Sequence, residues 1–274
     1  MKRRLFLGLS IAGLLGFHKA KARQLKPVLN VFLAVDLSDN NRKKDRQRDL
    51  EAMQAFFSNK GRIAEMDVRI QTFTHERFTI PTLLNAIKSL GNISQNQAPN
   101  SGIAVYFSGH GSNRDGSAYP HLDFSDNSLS MNKLSAIVGE QNPKLKFILA
   151  DCCNNIIENP AAKLAYTANP IDEDLVKGLF WNFGTPNSKQ NVLICAAEKG
   201  EFSYSLPSGS IFQQMFRRAF DNSTSNDNTK VSWESIKQKT VVEVRKFIER
   251  QSKITGFSYS QSPIFEIDST ANKE

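Results

Sequence analysis

With 274 residues, 40% of them hydrophobic, the chain is long enough to bury a full core, and a single α/β domain over residues 23–274 accounts for it better than two small ones. Setting apart the five Lys and Arg of the first 22 residues (Lys2, Arg3, Arg4, Lys19 and Lys21) takes the formal charge from +8 to +3, which leaves no case for a nucleic-acid partner. Composition also excludes a disordered chain or a fibre.

In chain order, Lys2, Arg3 and Arg4 precede an apolar run from Leu5 to Phe17, closed by the small-x-small spacing of Ala20-Lys-Ala22. The run is shorter than the roughly 20 apolar residues of a membrane span. Residues 1–22 therefore read as a cleaved export signal, with no stable membrane span after its removal and a periplasmic or extracellular destination. Arg3-Arg4-Leu-Phe-Leu7 resembles a twin-arginine signal.

Val28 to Asp36 reads as a first strand, Arg48 to Phe57 has helical spacing, and Met66 to Phe73 alternates as a second strand. Pro81 to Leu90 reads as a helix, Ile103 to Phe107 as a third strand, Met131 to Val138 as a helix and Lys146 to Ala150 as a fourth strand. This alternation predicts a three-layer α/β fold with a mainly parallel central sheet flanked by helices. The basic and acidic run from Asn41 to Asp49 reads as a solvated helix start. Asn154 to Gln190 is a long irregular stretch, expected to be a functional or cleavable loop. A strand from Asn191 to Ala197, a helix from Ser210 to Phe220, a polar linker from Asp221 to Lys230, a long amphipathic helix from Val231 to Gln251 and a short strand from Ser262 to Ile267 complete the chain.

Two segments carry the chemistry. Tyr106-Phe-Ser-Gly-His-Gly111 and Leu149-Ala-Asp-Cys-Cys-Asn154 each end an apolar strand, so a histidine and a cysteine are placed on the same rim of one sheet, where ligands of open parallel sheets collect. A thiol attacks a carbonyl as the thiolate, and a histidine can both accept its proton and protonate the leaving amine. Gly109 and Gly111 allow close backbone approach beside His110, as donors to an oxyanion need. The chain has three cysteines, Cys152, Cys153 and Cys195, an odd number that makes no disulfide framework. A zinc site from His110, His121, Cys152 and Cys153 lacks any standard ligand spacing. His75 reads as a surface loop residue.

The order strand, Ser-Gly-His-Gly, helix, strand, Asp-x-Cys resembles the caspase-like cysteine peptidases, and among them the metacaspases and their bacterial relatives. Phe147 to Cys153, Val192 to Ala197, Gly209 to Phe212 and Gln261 to Ile264 carry the similarity through most of the chain. The resemblance implies a caspase-like fold, His110 and Cys153 as the catalytic dyad, and backbone near Gly111 for the oxyanion. It also implies an acidic primary pocket, formed by Asp49, Ser108 and Asp151, that accepts Arg or Lys of a polypeptide substrate. Asp49 reads nearly as well as a carboxylate favouring a helix start. No cofactor is required for this chemistry. Calcium, on which many metacaspases depend, is possible but unplaced, with Asp172, Glu173 and Asp174 as candidates by composition only.

The chain departs from the family where Asn154 and Asn155 follow the cysteine in place of the usual His-Ser, and where Arg46 stands at a position many metacaspases give to cysteine. A catalytically weak or inactive module that binds peptides or protein partners is the alternative reading. The sequence carries no signal of oligomeric state.

Overall fold

The computed structural model of the chain describes residues 26–97, 100–114, 117–153, 179–180, 189–225 and 231–270. The proposed leader, the acidic run at 172–174 and nearly all of the 154–190 loop lie outside the described residues. Strand β1 (Val28–Val35) is buried along its whole length, as expected of a strand covered on both faces. It leads to α1 (Lys43–Ile63), then β2 (Asp67–Phe73), α2 (Ile80–Lys88), a one-turn α3 (Ile93–Asn96) and β3 (Gly102–Ser112). A small hairpin, β4 (His121–Asp123) and β5 (Ser128–Ser130), precedes α4 (Met131–Glu140) and β6 (Leu145–Cys153). From residue 189 on come β7 (Lys189–Cys195), the two-residue strands β8 (Ser205–Leu206) and β9 (Gly209–Ser210), α5 (Ile211–Ser223), α6 (Trp233–Thr255) and β10 (Ile264–Thr270).

The main sheet has the order β10-β7-β6-β3-β1-β2, with β4 and β5 added at the end of β3. All neighbours along this path are parallel except β10, which runs antiparallel to β7. Side-chain alternation sends each strand's residues into two separate cores. Leu50, Met53 and Phe57 of α1, Phe216 of α5 and Ile236 of α6 pack with Leu33, Tyr106 and Leu149 on one face. Leu83 of α2 and Leu134 of α4 pack with Phe32, Val105 and Ile148 on the other. On the first face Phe56 of α1 meets Phe220 of α5 edge to face with centroids 5.1 Å apart, an arrangement worth about 0.5–1.5 kcal/mol beyond the area buried.

Successive strands run outward from β1 in opposite directions, β2 to one side and β3, β6 and β7 to the other. The connections leaving β1 and β2 therefore diverge to opposite faces, and a crevice opens at the carboxyl ends of β1 and β3.

Three expectations are corrected. The charged run at 41–49 is a helix start but is solvated on one side only: α1 begins at Lys43, leaves Lys43, Lys44 and Arg48 exposed, and turns Arg46 and Asp49 inward at the spacing of Leu50 and Met53. Residues 221–225 are not linker: α5 continues to Ser223, and Asp221 is buried against Lys60 with 2.5 Å between Oδ1 and Nζ. Ser210 is the cap of α5 rather than its first residue, its hydroxyl accepting from the Gln213 N–H at 3.3 Å.

Candidate active site

The site is assembled where β1, β3 and β6 end. In the parallel register of β3 and β6, Ser108 is opposite Asp151, Gly109 opposite Cys152 and His110 opposite Cys153. Both strands stay paired through the polar motifs, so these residues sit inside regular strand and not in the loops beyond it. Their side chains inherit the alternation: Tyr106 belongs to the α1 face, and Ser108 and His110 follow it at intervals of two.

His110 has a side chain 42% exposed, and its Nε2 lies 3.3 Å from Oδ2 of Asp39 in the connection after β1. Cys153 closes β6 opposite it; the Cys153 side chain is outside the described residues. Its neighbour Cys152 is 3% exposed and belongs to the opposite core. A Cβ at Gly111 would lie 2.7 Å from the Cys152 Sγ and 3.2 Å from the His121 carbonyl oxygen, so only glycine fits there. Cys195, also buried, is coupled to Cys152 by a thiol hydrogen bond that lowers its pKa against the effect of burial.

Beside the paired positions of His110 and Cys153 is a cavity of about 30 Å³ lined by Ser108 and Asp151 together with Ser203, Ser210, Arg42 and Arg46. Asp151 is buried, and burial lifts its pKa to about 6 against hydroxyl hydrogen bonds from Ser210, Ser203 and Tyr106. The Ser203 and Tyr106 hydroxyls donate to it at 3.2 and 3.3 Å. Asp49 does not line the cavity. It lies behind, 2% exposed, and accepts the Ser210 N–H at 2.8 Å. Burial, reinforced by Asp151, pushes its carboxyl well above the usual range. Gly209 adopts φ of +111° with Asp49 against the position of its absent Cβ, which locks the β9 turn onto α1.

Arg46 is the residue whose position the sequence misjudged most. Its guanidinium donates to the Asp36 carboxylate at 2.5 Å and to the Asp36 carbonyl at 3.1 Å, and lies 3.7 Å from Asp39. Burial raises the Asp36 carboxyl, but Ser38 and Arg46 outweigh it and the net shift is downward. Arg42 pairs with Asp45 at 3.7 Å. The cavity wall therefore carries arginines that are paired with carboxylates, Arg46 with Asp36 and Arg42 with Asp45. Sequence reasoning also passed over Asp36, Asp39 and Ser203. The one signal for the first two was a pair of carboxylates immediately after the first strand.

His75 opens a short 3-10 turn, His75–Arg77, on the surface. Among the described residues no group of three or more His, Cys, Asp or Glu side chains could hold a metal ion, and no helix is long and apolar enough to cross a membrane.

The caspase domain of peptidase family C14 matches residues 35–273, and the chain belongs to that family of cysteine peptidases. No match to a curated protein sequence was found. Among solved structures, caspase-1 from the insect Spodoptera frugiperda aligns with a TM-score of 0.56 at 12% identity, over 90% of this chain and 89% of its own. The protein GSU0716 from Geobacter sulfurreducens aligns with a TM-score of 0.51 at 15% identity, over 91% and 95%. At these identities both show the shared fold, a mainly parallel sheet between helical layers.

Proposed function

We propose that the chain is a cysteine endopeptidase that cleaves polypeptides after Arg or Lys, with Cys153 as nucleophile and His110 as general base and acid. The observation that carries this reading is the paired ending of β3 and β6, His110 opposite Cys153 and Ser108 opposite Asp151. The packing of Cys152 into the opposite core supports Cys153 as the reactive member of the two thiols. Cys153 attacks the scissile carbonyl as its proton passes to His110, and backbone N–H groups near Gly111 and Cys153 receive the oxyanion. Collapse of the tetrahedral intermediate expels the amine, protonated by His110. Water activated by the same imidazole then hydrolyses the thioester. Asp151, with Ser108 beside it and Asp49 behind, supplies the charge that a guanidinium or ammonium group needs.

The test is hydrolysis of fluorogenic peptides ending in Arg, Lys or Asp by the mature chain and by Cys153→Ala, with and without calcium. Cleavage after Arg or Lys, lost in Cys153→Ala, is expected; cleavage retained by that variant would overturn the assignment. A second reading, a peptide-binding module without turnover, is favoured by one observation. The cavity has space for about one water while Arg42 and Arg46 line it. A folded protein that binds the peptides but cleaves none would support it.

Export belongs to the same proposal: N-terminal sequencing of protein recovered from an expressing cell should begin after Ala22. Self-cleavage within the 154–190 segment, at Lys163 or Lys177, is expected to be absent in Cys153→Ala. Lys189 is a poorer site because it already belongs to β7 and donates to Asn142 at 2.5 Å.

A further inference from the structure

We propose that Asp39 is a positioning residue for His110, a third member of the site that acts through the imidazole; the inference rests on the Cys-His reading above. The Asp39 carboxylate divides its work between two oxygens. Oδ1 accepts the Asn41 N–H at 3.0 Å in an Asx turn, which fixes the plane of the group. Oδ2 faces the His110 Nε2 at 3.3 Å and the Arg46 guanidinium at 3.7 Å. The turn is held in place by residues that cannot readily move. Arg46 is anchored by Asp36, and the Asp36 N–H donates to the Ser108 carbonyl at 2.9 Å, tying the connection after β1 to β3 two residues before His110.

A carboxylate at Nε2 selects one tautomer. The ring proton stays on Nε2, donated to Asp39, and Nδ1 is left with the lone pair that can accept a proton from a thiol. When the Cys153 S–H bond breaks, the proton moves to Nδ1 and the imidazolium is stabilised by the fixed charge behind it; no proton passes to Asp39. The other charged groups around the ring are otherwise engaged. Asp123, opposite His110 in the β3–β4 pair, is held by Arg114 at 3.2 Å and by the Ser128 hydroxyl, and Asp36 is committed to Arg46. A contact of 3.3 Å is of the length seen in unliganded sites, where such bonds tighten only on substrate binding.

The experiment uses the full chain with Asp39→Asn and Asp39→Ser, both of which keep a side-chain acceptor for the Asn41 N–H, and Asp39→Glu as the conservative replacement. Iodoacetamide alkylation of Cys153, mapped by mass spectrometry, is followed across pH beside peptide hydrolysis. Wild-type Cys153 should react faster at neutral pH than the same thiol in denatured chain. Asp39→Asn and Asp39→Ser should slow that reaction roughly tenfold, of the order expected for losing one nearby opposite charge. They should also lower kcat with little change in KM and move the alkaline limb of the profile to lower pH, while Asp39→Glu recovers part of the rate. Variants that alkylate and turn over with the wild-type pH profile, differing only in melting temperature, would overturn the proposal and leave Asp39 a turn residue. Wild-type Cys153 no more reactive than in denatured chain would instead sink the dyad, and this inference with it.

Discussion

Ser108 and Asp151 face one another across β3 and β6 two residues inside the pair formed by His110 and Cys153. Two residues of strand span roughly 7 Å, so the groups that select a side chain and those that carry out the chemistry are separated by one repeat of the same two strands. Each function can then be altered while the other is kept.

Asp151→Asn should lower kcat/KM for peptides ending in Arg or Lys roughly 10- to 100-fold, the worth of one charged hydrogen bond, and change neutral peptides little. Because burial lifts Asp151 to about 6, the wild type should gain activity on basic peptides as pH rises through that value. Paired pH profiles on a basic and a neutral peptide check this. A limb near pH 6 common to both peptides would assign it to another group.

The same carboxyl affects stability with the opposite sense from an ordinary salt bridge. Its folded pKa is raised, so the folded chain holds a proton that the unfolded chain has released above about pH 4. The resulting stabilisation is complete below that pH and is lost as pH rises through about 6. Asp49, also raised by burial, acts in the same direction. Asp151→Asn should therefore gain stability relative to wild type on going from pH 4 to pH 8, on the order of 3 kcal/mol, measured by urea denaturation at both. A difference independent of pH would contradict the assignment.

Replacing Arg46 by Met should destabilise the fold by about 3 kcal/mol near neutrality, since Asp36 would remain buried without its cation. Asp36 has a lowered pKa, so its contribution exists above the unfolded carboxylate value and is lost as pH falls through the folded one. The deficit should accordingly shrink below pH 4. Thermal melts of both proteins from pH 3 to pH 8 provide the comparison.

Gly111→Ala should cost about 1–3 kcal/mol, because the new methyl meets the Cys152 thiol and the His121 carbonyl. Adding Cys152→Ala removes the closer of these contacts. The double variant should be less impaired than the sum of the two single ones, and strict additivity in denaturation would argue against the clash.

The parallel sheet was legible because β1, β3, β6 and β7 are apolar runs of the length that doubly covered strands require. The positions of His110 and Cys153 in the chain gave a sheet rim directly. Burial of charge was harder to read. Arg46, Asp49 and Lys60 occupy the inward spacing of α1 together with Met53 and Phe57, but their partners come from the connection after β1, the β9 turn and α5, which only the folded chain brings near. The hairpin of β4 and β5 has three residues in each strand, too few for alternation to register. Asp39 acquires meaning only from the strand order, which places the connection after β1 beside the end of β3.

The neighbours β6 and β7 are joined by six parallel pairs, from Leu145 with Gln190 to Ala150 with Cys195, although residues 154–188 separate them in sequence. The contact between the two halves thus runs through the middle of the sheet and rests on strand pairing. A single break between residues 154 and 178 should yield a two-chain molecule whose pieces share one sheet and both of its cores. It should elute as one species under native conditions and resolve into two fragments only in detergent, so hydrolysis there alters the freedom of the segment's ends without dividing the protein.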